Sequence, residues 1–192
     1  STLEEFRKQV NAEQRDGSAR LTLLPFILKA AALALQRYPA FNSTVEGNES
    51  IVRSYRHIGF AVDTPEGLVV PVVRDADKKG LLDIARESDE LVRLARAGKL
   101  GPDRMQGGCF TVSNLGSAGG SGFTPIINAP EVAILGVARS EIRPVWDGVQ
   151  FQPRLMLPLC LSWDHRALDG VVAARFLGFL AGMLSDFRRA VL

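Results

Sequence analysis

Residues 154–170 read RLMLPLCLSWDHRALDG, an apolar run that gives way abruptly to charged side chains. A short apolar run with such an end is typical of a buried strand. Asp169 and Gly170 stand directly before a second apolar segment, where a carboxylate is expected to cap the start of a helix. The stretch therefore predicts a strand, a tight turn and a helix, with His165 displayed in the turn.

Helical and strand-like patterns alternate along the rest of the chain. Apolar residues recur at helical spacing in four segments. The first opens at Thr2, and the others run from Thr22 to Tyr38, from Leu81 to Ala97 and from about Val171 to Arg189. Strand-like patterns lie at 41–74, interpreted as a meander, and at 109–115, 131–137, 141–146 and 154–163. Short turns join most strands and helices lie between groups of them. The predicted fold class is therefore α/β, a two-layer sandwich with a mixed β-sheet and helices packed on it.

The composition is that of one globular domain. The 192 residues are 46% apolar and 23% charged, which is an ordinary balance for a soluble protein. The formal charge is only +2, so nucleic acid is not an expected partner. Lys29 and Arg175 interrupt the longest apolar runs, so no membrane partner is expected and the predicted location is cytoplasmic. Cys109 and Cys160 lie in strand-like stretches and are predicted to be buried, reduced thiols.

From the residues alone, two interpretations of the 164–170 turn stay open. His165 can be a base presented at a strand end, or simply a surface or core histidine. Asp169 can be a helix cap, and a cap at this place could also brace the turn. No metal is expected, because His165 and Asp169 supply at most two ligands and His57 lies in a distant strand pattern.

The glycine-rich segment 116–122 follows the strand-like FTVSN of residues 110–114. Its spacing matches neither the dinucleotide nor the phosphate-binding glycine pattern, and two prolines follow it where those patterns require a helix. A nucleotide-binding loop is therefore not favoured. The strand is instead predicted to end at Ser113 and Asn114, and the flexible segment after it to let the backbone approach some other group closely.

Two long stretches carry a family resemblance. FTVSNLGSAGGSGFTPIINAPEVAILGVA at 110–138 and PRLMLPLCLSWDHRALDG at 153–170 resemble the catalytic domain of the dihydrolipoamide acyltransferases, the core subunits of 2-oxo acid dehydrogenase complexes. The resemblance covers essentially the whole chain. It implies a chloramphenicol acetyltransferase-like fold. Serine at position 113 and FTPIINAPEVAILGV at 123–137 look more like the acetyltransferases of pyruvate dehydrogenase than like succinyltransferases.

The resemblance implies a role for each candidate residue. His165 would be the general base that takes the thiol proton of dihydrolipoamide or of coenzyme A. Ser113 would donate a hydrogen bond to the oxyanion, and Asp169 would hold the loop. Coenzyme A and lipoamide would be substrates, with the lipoyl group carried on a domain outside this chain, and no metal would be needed.

The resemblance also implies an assembly. Residues 1–192 would form a single catalytic domain, shorter at its N-terminus than in the family, without the lipoyl and subunit-binding domains. Homotrimers would build a larger hollow core, with His165 and Ser113 facing each other from neighbouring subunits. Partners would include lipoyl domains and, through the missing domains, the decarboxylating dehydrogenase and dihydrolipoamide dehydrogenase.

Several alternatives stay open. The chain could act on succinyl or branched-chain acyl groups, or be a purely structural fragment of the core. It could be a hydrolase with Ser113 or Ser162 as nucleophile, although Ser113 lacks a G-x-S-x-G turn and strand alternation points Ser162 away from His165. His57 and Asp63 could line a channel, but positions on a strand face and in a turn are the simpler interpretation.

Overall fold

The structure, a computed structural model, describes residues 2–13, 20–116 and 118–191. Its α-helices are α1 (Thr2–Glu13), α2 (Leu23–Arg37), α3 (Leu81–Arg96) and α4 (Gly170–Ser185), with 3₁₀ turns at Pro39–Asn42, Pro102–Arg104 and Phe187–Val191. Its strands are β1 (Ser43–Glu46), β2 (Glu49–Val52), β3 (Ile58–Phe60), β4 (Val62–Thr64), β5 (Gly67–Val69), β6 (Val72–Val73), β7 (Phe110–Asn114), β8 (Ala133–Val137), β9 (Glu141–Trp146), β10 (Phe151–Met156) and β11 (Leu159–Trp163). None of the helices in these ranges is long and apolar enough to cross a membrane.

Five strands form the central sheet, in the order β11-β8-β7-β3-β6. β7 runs parallel to both β8 and β3, whereas β11 is antiparallel to β8 and β6 is antiparallel to β3. The sheet is therefore mixed, as predicted. The remaining strands pair as three separate hairpins, β1–β2, β4–β5 and β9–β10.

The two faces of the sheet are covered differently. On one face, Phe110 of β7 packs against Phe176 of α4, with 5.6 Å between ring centroids, and the buried side of α2 completes this layer. Strand alternation places Thr111 and Ser113 on the other face. There the loop after β7 lies against the sheet, since a Cβ at Gly136 would stand 2.8 Å from the ring of Phe123.

Three predicted elements differ in the structure. The 41–74 segment is not one meander, because β3 and β6 join the central sheet while β1–β2 and β4–β5 stay outside it. The predicted strand at 154–163 is divided into β10 and β11 around Pro158, which has no amide hydrogen for a strand ladder. The last α-helix ends at Ser185 and continues as a 3₁₀ turn. β11, predicted to be buried, is the half-buried edge of the sheet.

Candidate active site

His165 lies in a turn held at both ends by backbone hydrogen bonds. The amide of Asp164 donates to the carbonyl of Val132 at 2.7 Å, which anchors the turn to the start of β8. The amides of Ala167 and Leu168 donate to the carbonyl of Asp164 at 3.0 and 3.1 Å. His165 itself is exposed, and its ring centroid lies 6.3 Å from that of Trp163. The fold therefore presents the imidazole at a surface from a fixed backbone.

Asp169 caps α4, as the sequence predicts. Its Oδ1 accepts a hydrogen bond from the amide of Val172 at 2.9 Å, and its own backbone is extended, with φ −99° and ψ 164°. A carboxylate here satisfies one of the free amides of the first helical turn and is favoured by the helix dipole. The cap also fixes the far end of the turn that carries His165.

Ser113 lies near the end of β7 and is half-buried. Asn114 follows it, and the Oδ1 of Asn114 accepts from the amide of Gly116 at 3.0 Å, which turns the chain out of the sheet. Gly119 and Gly120 have φ values of +92° and +86°, so this loop uses backbone conformations that favour glycine. A Cβ at Gly119 would meet no atom within 4 Å, and one at Gly122 would lie 3.6 Å from Sγ of Cys160, so the close approach expected of residues 116–122 stays a prediction.

Within one chain, Ser113 and His165 lie toward opposite ends of the sheet. Ser113 pairs in register with Gly136 of β8, and Gly136 pairs in register with Cys160 of β11. β11 then continues for three residues to Trp163 before His165 is reached. With about 3.3 Å of rise per residue and about 4.8 Å between strands, roughly 14 Å separates the Cα atoms of Ser113 and Trp163. The side chains of Ser113 and His165 cannot meet across this distance.

The structure gives His57 a structural contact. Its Nδ1 accepts from the amide of Asp75 at 2.9 Å, and its ring stacks on that of Tyr55 with 4.2 Å between centroids. Burial lowers the pKa of His57. Asp63 is exposed on the β4–β5 hairpin. Ser162 pairs in register with Ile134, which in turn pairs with Thr111. Ser162 therefore lies on the same sheet face as Ser113, but toward the opposite end of the strands.

The two cysteines are free. Cys109 is buried, its Sγ donates to the carbonyl of His57 at 3.1 Å, and burial raises its pKa to about 12. Cys160 is only half-buried, because β11 is an edge strand. The predicted burial is confirmed for Cys109 and is wrong for Cys160.

Sequence reasoning missed Glu131. This side chain is 7% exposed and accepts a hydrogen bond from the hydroxyl of Thr111 at 2.9 Å, on the same sheet face as Ser113. Burial raises the pKa of Glu131 to about 7, against the opposing effect of its hydrogen bonds. The available signal was a lone acid directly before the apolar run VAILGV.

The mixed sheet and the DHRALDG turn after its edge strand belong to a known class of acyl-transfer domain. Residues 1–192 match the 2-oxoacid dehydrogenases acyltransferase (catalytic domain) family, and the chain is a member of that family. It is 57% identical, over 99% of its length, to the dihydrolipoyllysine-residue acetyltransferase component of the pyruvate dehydrogenase complex of Cupriavidus necator. That match covers 34% of the relative, and matches to other curated relatives cover from 30% to 48% of theirs, so the chain spans less than half of their length.

Solved structures agree with this placement. The cubic core of a pyruvate dehydrogenase multienzyme complex is 54% identical with a TM-score of 0.97, covering 100% of this chain and 79% of that one. The dihydrolipoamide acetyltransferase of Azotobacter vinelandii, studied for the catalytic roles of a serine, a histidine and an asparagine, is 53% identical with the same TM-score and coverage. A chloramphenicol acetyltransferase, at 13% identity, has a TM-score of 0.63 and covers 95% of this chain and 82% of that one. The predicted family and the chloramphenicol acetyltransferase-like fold are therefore confirmed.

Proposed function

We propose that this chain transfers an acetyl group between dihydrolipoamide and coenzyme A. The proposal is supported by its relatives, which are acetyltransferase components of pyruvate dehydrogenase complexes. One thiol attacks the thioester carbonyl, a new carbon–sulfur bond forms, and the departing sulfur leaves as the second thiol. Such an exchange needs a base, an oxyanion donor and shelter from water.

His165 is the base in this proposal. A thiol of pKa near ~8.5 is only slightly ionised at neutral pH, and an imidazole of pKa near ~6.5 is well matched to remove its proton. In the described part of the chain no side chain or backbone group hydrogen-bonds the His165 imidazole, which is exposed on a rigid turn. Both ring nitrogens are available, one of them to receive the thiol proton.

Ser113 is the oxyanion donor in this proposal. The distance between Ser113 and His165 is the observation that supports an assembly of several subunits. The sheet register separates the two within one chain. A working site therefore needs Ser113 of one subunit opposite His165 of another. A homotrimer provides this arrangement at each of its interfaces, with the thiol substrates between the subunits.

The Azotobacter vinelandii enzyme supports these assignments. The intervals along its chain between the studied serine, histidine and asparagine equal the intervals here between Ser113, His165 and Asp169. Asparagine and aspartate share a side-chain oxygen that can cap a helix. The role we propose for Asp169 is accordingly to hold the turn through this cap.

The β9–β10 hairpin supports self-association. It lies outside the central sheet and exposes a cross-strand pair, Trp146 and Phe151, whose ring centroids are 5.2 Å apart. Ile142 and Val149 on the same hairpin are 73% and 83% exposed. Clustered exposed apolar side chains of this kind favour an interface. We propose that trimers assemble into a larger hollow core, and the similarity to a protein that forms a cubic core supports this.

The remaining partners follow from the same proposal. The chain would be a single catalytic domain that receives acetyl groups from lipoyl domains. It would work beside the decarboxylating dehydrogenase and dihydrolipoamide dehydrogenase, which bind elsewhere in the full protein. Two free cysteines fit a reducing compartment, so we place the reaction in the cytoplasm.

The test is acetyl transfer from acetyl-CoA to free dihydrolipoamide by the assembled protein. His165→Ala is expected to lower kcat by roughly 10²- to 10⁴-fold, and Ser113→Ala by roughly 10²- to 10³-fold. Ser162→Ala is the matched control, since Ser162 lies half-buried on the same sheet face, and it should leave the rate unchanged.

Other outcomes would decide for the alternatives. A trapped acyl-serine would indicate a hydrolase instead of direct thiol transfer. Faster turnover of succinyl-CoA or a branched acyl-CoA would overturn the acetyl specificity. An assembled protein that has no activity and binds no coenzyme A would be a purely structural core fragment.

A further inference from the structure

Asp164 and Arg166 bracket His165 with a bidentate contact. Oδ1 of Asp164 accepts from the amide of Arg166 at 2.9 Å and from its Nε at 3.0 Å, and Oδ2 accepts from Nε at 3.1 Å and from Nη2 at 2.6 Å. In the described part of the chain, every hydrogen bond to this carboxylate comes from Arg166. The pair therefore closes a ring around the backbone of His165.

This ring is tied to the sheet and stays charged. The backbone of Asp164 bonds to Val132 on one side and to Ala167 and Leu168 on the other. The side chain of Asp164 is 19% exposed, and the guanidinium beside it holds the pKa of that carboxyl below its usual range. Both partners are consequently ionised throughout the range in which an imidazole titrates.

Two further acids lie around the turn. Asp169 stands at the start of α4, and Glu131 lines a cavity of about 260 Å³ together with Asp164 and Arg166. The side chain of Arg166, the next residue after His165, is 75% exposed, and its positive charge is paired with Asp164. Loss of either partner would leave an unbalanced charge within a few residues of the imidazole.

We propose that Asp164 and Arg166 are positioning residues for His165, which fix its backbone and cancel each other's charge next to it. This inference rests on the proposed role of His165 as the base. A rigid turn holds the imidazole where the thiol proton must be received, and small displacements of a catalytic group cost large factors in rate. An unpaired charge at either position would change the electrostatic potential at the imidazole, whereas the intact pair adds little to it.

The test compares Asp164→Asn, Arg166→Gln and the double variant in the assembled protein, at low ionic strength. Asp164→Asn leaves Arg166 unpaired, so the acidic limb of the pH profile of kcat/KM should move down by about half a pH unit. Arg166→Gln leaves Asp164 unpaired and should move the limb up by a similar amount. The double variant should return the acidic limb to its parent position. Its kcat should stay at least roughly tenfold below that of the parent, because the contact between residues 164 and 166 is still missing.

The controls separate this inference from the proposed function. Asp83→Asn and Arg86→Gln alter an exposed ion pair on α3 and should leave rate and profile unchanged. The series is repeated with Glu131→Gln, so that titration of Glu131 cannot produce the limb. An active His165→Ala would overturn the proposed function itself. If His165→Ala is inactive but both single variants and the double variant keep the parent rate and the parent pH profile, only the positioning role is overturned. A double variant with the full parent rate would overturn the role of the ring that Asp164 and Arg166 close.

Discussion

At the scale of the residue, Glu131 should make stability depend on pH. Its folded pKa of about 7 lies above the ordinary 4.5, so the stabilisation of its neutral form is complete below about pH 4.5 and is lost as pH rises through about 7. Glu131→Gln cannot ionise and can still accept from Thr111. We expect it to raise the free energy of unfolding at pH 8 by up to ~3 kcal/mol, with little effect at pH 4.5. Urea unfolding at fixed protein concentration measures this. The exposed Glu49→Gln is the control, and equal pH slopes for Glu131→Gln and the parent would refute the expectation.

At the scale of the element, the start of α4 depends on one side-chain oxygen of Asp169. Asp169→Ala should cost about 1 kcal/mol of stability and also reduce acetyl transfer, because the freed turn carries His165. Asp169→Asn keeps an oxygen at the cap and should retain most of both. Thr22→Ala is a matched control, because Thr22 occupies the cap of α2 without a side-chain hydrogen bond. Thermal unfolding measures the loss of stability, and the transfer assay measures the loss of activity. If Asp169→Asn is as impaired as Asp169→Ala, the charge of Asp169 matters and not its cap.

At the scale of the whole molecule, the separated site predicts complementation between two inactive variants. Subunits carrying His165→Ala still supply Ser113, and subunits carrying Ser113→Ala still supply His165. The two variants are dissociated and reassembled together in equal amounts. They should regain about a quarter of the parent activity, because at that fraction of interfaces an intact Ser113 meets an intact His165. Mixing without dissociation is the control and should regain none. A reassembled mixture that stays inactive would place each site within one subunit.

The local elements were largely predictable, and the reasons are local. The helices from Leu23 and Leu81 follow apolar spacing, and the cap at Asp169 follows from a carboxylate before an apolar segment. The division of 154–163 at Pro158 has a local cause, but the error at 41–74 arises because pairing partners are far away in sequence. The 41–74 segment reads as a meander, yet β3 leaves it to pair with β7, which lies about fifty residues further along the chain.

By itself, the sequence determined the fold class and the turn that displays His165, because periodicity and capping are short-range properties. The roles proposed for His165 and Ser113 came from the family resemblance. Only the tertiary structure decided that Ser113 and His165 lie toward opposite ends of one sheet. β8 runs parallel to β7 while β11 returns antiparallel, and strand direction leaves no mark on an alternating pattern. The burial of Glu131 was decided in the same way, because Gly108, distant in sequence, lies so near that a Cβ there would stand 3.2 Å from Oε1 of Glu131.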